Sequence, residues 1–168
     1  MKFGFIGLGN MANAIINGMI TSGQFNATDV YGINRSIEKT EALISQYGIQ
    51  TADSIEHLMS QVDVVIIAVK PQMFDQVIPA IQQNLKSNHI VISIAAGKSL
   101  DYLHRELGAQ TPIFRVMPNI NSTIGASTSC FSTIVGNDEQ KDIVEKLFAT
   151  VGTIDELPEE LFSIFTTI

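Results

Sequence analysis

The sequence predicts an α/β protein with a doubly wound, mostly parallel sheet and helices on both of its faces. Three observations carry that expectation. Short apolar, β-branched segments alternate with helical stretches along most of the chain, the pattern of strands joined by crossover helices. One of them, Val64 to Val69, is apolar at every position, as a central strand covered on both faces must be. The first segment runs straight into a G-x-G-x-x-A turn and then a helical pattern, the entrance that such sheets use.

Taken in order, the strand candidates are Lys2 to Ile6, Asp29 to Ile33, a brief Ile49 to Thr51, Val62 to Val69, His89 to Ile94 and Ile113 to Met117. After the first turn, Ile15, Ile16, Met19 and Ile20 recur at helical spacing. Pro71 closes the fourth strand. Further on, Ser127 to Val135 reads as an edge or antiparallel strand, Asp138 to Thr150 as a helix and Gly152 to Ile154 as a last short strand.

The 168 residues suit one domain with a full core, here expected over residues 1–157. A net charge of -7 argues against nucleic acid or an anionic membrane as partner. No apolar run reaches membrane-spanning length, and no secretory leader pattern opens the chain. Cys130 is the single cysteine, which excludes an internal disulfide framework and fits a reducing compartment, the cytoplasm. No His or basic residue lies near Cys130 in sequence, so it reads as a buried thiol rather than a nucleophile. His57, His89 and His104 are widely spaced in polar stretches, and no metal is expected. Asp138, Glu139, Asp142 and Glu145 read as the solvated face of a helix.

The strongest chemical signal is Ile6-Gly7-Leu8-Gly9-Asn10-Met11 with Ala12. Gly7 suits the tight turn after the strand, Gly9 lets backbone approach a pyrophosphate, and the small Ala12 lets the helix pack on the sheet. Phosphates would sit on the helix N-terminus, where unpaired N–H groups and the macrodipole favour an anion. This is a dinucleotide entrance of the Rossmann type. At the end of the second strand an acidic residue would bind a ribose 2′-hydroxyl, whereas Arg receives a 2′-phosphate. The chain has Asn34-Arg35-Ser36 there, with Asn34 22 residues beyond Ala12. That set favours NADP(H) over NAD(H), with NAD(H) kept as the second choice. The same residues also suit a simpler role, Asn34 and Ser36 as turn and cap with Arg35 in solvent.

Three more segments extend the pattern. Ala68-Val69-Lys70-Pro71-Gln72 follows the fourth strand, Ser93-Ile94-Ala95-Ala96-Gly97 the fifth, and Arg115-Val116-Met117-Pro118-Asn119, with Gly125, the sixth. Together with Gly4 to Ala12, their order resembles the N-terminal domain of pyrroline-5-carboxylate reductase. The resemblance covers nearly the whole chain. It implies NADPH-dependent reduction of the C=N bond of 1-pyrroline-5-carboxylate to proline. Ile6 to Met11, Asn34, Arg35 and Ser36 would then hold the nucleotide, Ala68, Val69, Lys70 and Pro71 would line it, and Ala95, Ala96 and Gly97 would lie near the nicotinamide. Ser54 stands where the family has an Asn contact, and Asn121 where many members have a second Pro. All these segments fall at the carboxyl ends of parallel strands, where open α/β sheets bind ligands. Each also has a plainer reading: a packed strand end for Ala95 to Gly97, a solvated charge for Lys70, a turn or cap for Asn119.

The resemblance further implies an all-helical second domain that makes a homo-oligomer and completes the imine site, so residues 158–168 are expected to begin a helix leading into it. Leu161, Phe162, Ile164, Phe165 and Ile168 leave that helix little polar face. No catalytic residue is assigned within the chain, which alone is expected to be inactive. Two other readings stay open: a non-catalytic NADP(H)-binding regulatory paralogue, and a relative of the 3-hydroxyacid dehydrogenases.

Overall fold

The computed structural model describes residues 1–121 and 126–165. Strands β1 (Phe3–Ile6), β2 (Val30–Ile33), β3 (Gln50–Thr51), β4 (Val64–Ile67), β5 (Ile90–Ser93), β6 (Ile113–Asn121), β7 (Ala126–Thr133) and β8 (Gly152–Glu156) form one eight-stranded sheet in the order β3-β2-β1-β4-β5-β6-β7-β8. All neighbours are parallel except β6 and β7, which run antiparallel. Helices α1 (Asn10–Thr21), α2 (Ile37–Tyr47), α3 (Ile55–Gln61), α4 (Phe74–Gln83), α5 (Leu100–Leu107) and α6 (Asp138–Phe148) join the strands, and a short α7 (Phe162–Phe165) follows β8. The order of strands reverses at β1, with β2 on one side and β4 on the other, which opens a crevice at the carboxyl ends of these strands.

The two-residue alternation of the strands divides the core. Val64 and Ile66 face one layer with Ile15, Ile16 and Met19 of α1 and Val144, Leu147 and Phe148 of α6. Val65 and Ile67 face the other, with Leu58 of α3, Phe74 and Ile78 of α4 and Leu103 of α5. A strand whose every residue is apolar is therefore sandwiched, as its sequence requires.

One expectation changes in the second half. The sixth strand does not end at Met117 but continues through Pro118 and Asn119 to Asn121. Pro118 is tolerated because the β5–β6 ladder stops at Ser93 opposite Arg115, so β6 has run past its neighbour on that side and no donor is demanded there. Pro118 and Asn119 thus pair with Ser129 and Thr128 within a hairpin rather than forming a turn. The seventh strand is antiparallel to β6, one of the two forms expected of it, and lies inside the sheet, with β8 at the edge. Gly125 and Ile168 lie outside the described residues.

The segment after Pro158 packs back on the domain. Phe162 is 2% exposed, while Leu161 and Ile164 remain in solvent. No described helix is long and apolar enough to cross a membrane.

Candidate functional site

The turn after β1 is held by its neighbours on both sides. Gly7 has φ +99°, and its N–H donates to Ile33 O at the end of β2 at 2.9 Å. On the other side Ala68 N–H donates to Ile6 O at 2.8 Å. A Cβ on Gly7 would lie 2.9 Å from the carbonyl carbon of Ala68 and from Val69 N, so only glycine lets the chain leave β1 across the exit of β4. Leu8 turns its side chain into the core and gives its N–H to Asn34 Oδ1 at 3.1 Å.

Gly9 differs from Gly7 in kind. It has extended backbone, φ -76° and ψ -169°, and a Cβ there would meet nothing within 4 Å. Its freedom is space in front of the turn. It is also the N-cap of α1, which has no side-chain cap and no acidic residue in its first turn. Donors and the positive end of the helix dipole are therefore left to whatever occupies that space. Ala12, 1% exposed, closes the helix on the sheet.

At the end of β2 the three residues divide their work. Asn34 faces the Leu8 N–H with its oxygen, since two donors would repel, and its NH2 is left to donate elsewhere. Arg35 is exposed, and its Nη1 lies 3.5 Å from Met73 Sδ in the turn after β4, so the guanidinium spans the mouth of the β1 turn. Ser36 acts as the N-cap of α2: its Oγ accepts from Lys39 N–H at 3.4 Å and donates to Glu38 Oε2 at 3.3 Å. The capping role foreseen for Ser36 is therefore present, and Arg35 has a partner other than solvent. Ser54, exposed after the edge strand β3, caps α3 by accepting from His57 N–H at 3.0 Å.

After β4, Ala68 and Val69 are half-buried and Lys70 is exposed. Lys70 O accepts from Met73 N–H at 2.9 Å to set the turn that Pro71 begins. After β5, Ala95 is buried, whereas Ala96 and Gly97 are exposed. Gly97 has φ +77° and open space where a Cβ would stand. The next cation does not face the crevice: Lys98 Nζ lies over the Tyr102 ring at 4.6 Å and the Phe74 ring at 5.6 Å. Desolvation, with Glu106 and Asp75 nearby, raises the Tyr102 hydroxyl above its usual range, against the pull of Arg105. The structure thus gathers the turns after β1, β2 and β4 by direct bonds, sets Ala95 to Gly97 beyond β4, and leaves Ser54 at the β3 rim.

Elsewhere the ionisable groups do structural work. His89 is buried, with Nδ1 accepting from Lys86 N–H at 2.9 Å and Nε2 within 3.0 Å of Met59 O and 3.1 Å of Val62 O. That set fixes a neutral ring protonated on Nε2, tying α3 to the start of β5. Cys130 is buried, and desolvation, against Arg115 and with Asp155, pushes its thiol up to about 11. It stays protonated and unreactive at neutral pH. No cluster of metal-ligating side chains occurs among the described residues. One feature that the sequence did not suggest is a shielded ion pair, Arg115 Nη1 to Glu159 Oε2 at 2.8 Å.

Cavity size does not mark the crevice. A cleft of about 300 Å³ lies at the opposite end of the strands, between Met1, Phe3, Phe25, Asp29 and Lys146. It contains neither the Gly7 to Gly9 turn nor the start of α1.

A family of proteins described as NADP oxidoreductase, coenzyme F420-dependent, matches residues 2–97. The chain belongs to this NADP oxidoreductase family. The matched part of this oxidoreductase domain includes the turns after β1, β2, β4 and β5. The chain is also similar to the pyrroline-5-carboxylate reductase of Staphylococcus epidermidis, 34% identical over 162 residues that make up 95% of this chain and 60% of the relative. Among solved structures it resembles the pyrroline-5-carboxylate reductase of Coxiella burnetii, with TM-score 0.94 and 27% identity, over 99% of this chain and 63% of that one. It resembles equally in sequence the Plasmodium falciparum pyrroline carboxylate reductase with NADP bound, with TM-score 0.89 and 27% identity, over 100% of this chain and 62% of that one. The chain spans about 60% of the length of the curated relatives it matches.

Proposed function

We propose that this chain is the cofactor-binding part of a pyrroline-5-carboxylate reductase, holding NADPH in preference to NADH across the carboxyl ends of β2, β1, β4 and β5. The observation that carries the reading is the Gly7 to Asn10 turn. It sets open space before Gly9 against the uncapped start of α1, and its N–H at Leu8 is tied to the residue that would face the ribose. The residues fit the group: a pyrophosphate needs backbone donors and room, and both are there. The names of the similar reductases, one of them with NADP bound, support the same nucleotide and an imine substrate.

Within this reading the turn formed by Ile6, Gly7, Leu8, Gly9, Asn10 and Met11 holds the nucleotide, with the phosphates before Gly9 and the start of α1. Asn34 offers its NH2 and Arg35 its guanidinium to the 2′-phosphate, with Ser36 and Ser54 at the rim. Ala68, Val69, Lys70 and Pro71 form the wall after β4. Ala95, Ala96 and Gly97 give the flat nicotinamide ring a surface without protruding side chains. When bound, NADPH supplies the hydride that reduces the C=N bond. The chain's part is orientation and the exclusion of water, which such a transfer chiefly needs. No residue here is given to the imine. The full protein works as a homo-oligomer in the cytoplasm in this reading, consistent with the single buried thiol.

Calorimetric titration tests it. The chain is expected to bind NADPH about tenfold more tightly than NADH, the worth of one good charge-assisted contact. Equal affinities would remove the 2′-phosphate from the Arg35 side, and no binding of either nucleotide would overturn the reading.

A further inference from the structure

Residues 94–99 connect β5 to α5 and carry Ala95, Ala96 and Gly97. One carboxylate oxygen caps the exit of this loop and pairs with a cation on the strand beside its entry. Its entry follows the last rung of the β5–β6 ladder, Ser93 opposite Arg115, and its exit is Leu100, the first residue of α5. Glu159 Oε2 accepts from Arg115 Nη1 at 2.8 Å and from the Leu100 N–H at 2.8 Å. Ser99 Oγ takes the Tyr102 N–H of the same helix start, so the carboxylate completes a cap begun locally and faces the positive end of the dipole.

The carboxylate arrives on a segment that is itself fastened. Leu157 N–H donates to Phe131 O of β7 at 2.9 Å. Phe162 is buried, and the Arg115 guanidinium lies 5.0 Å from its ring centroid. The Arg115 and Glu159 side chains are only 12% and 24% exposed, so water competes weakly for the pair. A half-buried cation, a helix start and the chain after β8 are thereby locked through one oxygen.

We propose that Glu159 is a positioning residue that holds loop 94–99 where its small residues bound the nicotinamide end of the site. This rests on the nucleotide reading above. Glu159 touches neither nucleotide nor substrate. It acts through the backbone of Leu100 and through Arg115, so displacement of residues 157–162 releases the exit of the loop, while its entry keeps the Ile94 N–H to Ile67 O bond and the β1 turn keeps all its own bonds.

The test uses the 168-residue chain, its E159A and E159Q variants, and two probes: NADPH, and adenosine 2′,5′-bisphosphate, which has the adenine and 2′-phosphate half but no nicotinamide. E159A is expected to weaken NADPH by about tenfold and the bisphosphate by less than about twofold. E159Q keeps an oxygen for the Leu100 N–H and is expected to fall between, which also covers the case in which E159A fails to fold. Amide hydrogen exchange should quicken at residues 100–103 in E159A and stay unchanged at 10–16. Equal losses for both probes, or unchanged NADPH affinity in a folded variant, would overturn the latch alone. A wild-type chain that binds neither probe would overturn the nucleotide reading and this inference with it.

Discussion

The two ends of the strand-tip groove are restrained by different means. After β1 every bond comes from an adjoining strand end: Gly7 to Ile33, Leu8 to Asn34 and Ala68 to Ile6. After β5 the loop carrying Ala95 to Gly97 keeps one such bond at its entry, Ile94 N–H to Ile67 O at 3.2 Å, but its exit is anchored by Glu159, 59 residues from Leu100 in sequence and on the far side of the β6–β7 hairpin. The β1 end is therefore a product of local backbone geometry. The exit of the β5 loop depends on a distant carboxylate, and it can loosen while the β1 turn stays intact. The substitutions below act on the first end, in places where stability and binding should separate.

The largest effect is expected at Gly9. Valine there should leave the fold intact, because the backbone is in a region any residue adopts and the added atoms meet nothing. It should lower NADPH affinity by roughly a hundredfold or more, as two good charge-assisted hydrogen bonds are lost. Unchanged circular dichroism with retained binding would place the nucleotide elsewhere. Gly7→Ala should do the opposite. With φ +99° and a Cβ 2.9 Å from backbone atoms of Ala68 and Val69, it combines backbone strain with overpacking. Urea unfolding should show a loss of about 2–4 kcal/mol. A stability within 0.5 kcal/mol of wild type, the ordinary scatter of surface changes, would show that the β1 and β4 exits are not locked together.

Asn34 sharpens the comparison in a third way, because its two amide groups have separate tasks. Asn34→Asp keeps an acceptor for the Leu8 N–H and so should preserve the turn and the thermal midpoint. It removes the donors and adds a charge that repels a 2′-phosphate. The ratio of NADPH to NADH affinity should fall by about tenfold. A ratio that does not move would leave Arg35 alone to recognise the phosphate.

Legibility in the sequence follows the same division. The parallel half was readable because its central strands β1, β4 and β5 are buried on both faces and its strands end in a glycine, a proline or a helix cap, all short-range signals. The register of β1 between β2 and β4 needs little more. The second half resisted because Pro118 and Asn119 carry turn chemistry, yet β6 overruns β5 at that point, and propensity gives way once no ladder bond is at stake. His89 stands in a polar stretch of sequence, which gives no sign of its place as a buried tether between α3 and β5. Arg115 gave a partial signal: a cation between Phe114 and Val116 in a covered strand demands a partner. The partner's identity, Glu159 among 17 acidic residues, is a fact of the tertiary fold alone.

The smallest effect is expected at Ser54, where it decides whether the groove extends to the edge strand. Its hydroxyl already accepts from His57 N–H as the cap of a seven-residue helix, and β3 is separated from β1 by β2. Ser54→Ala should therefore cost about 1 kcal/mol in urea unfolding, the usual worth of a cap. The hydroxyl proton is still able to reach a ribose oxygen at the rim, but such an exposed contact adds little to affinity. NADPH should weaken by no more than about threefold, or about 0.6 kcal/mol. A loss of tenfold or more with unchanged stability would make Ser54 a principal contact, and the site would then be centred one strand further from Ala95 than the bonds around Gly7 imply.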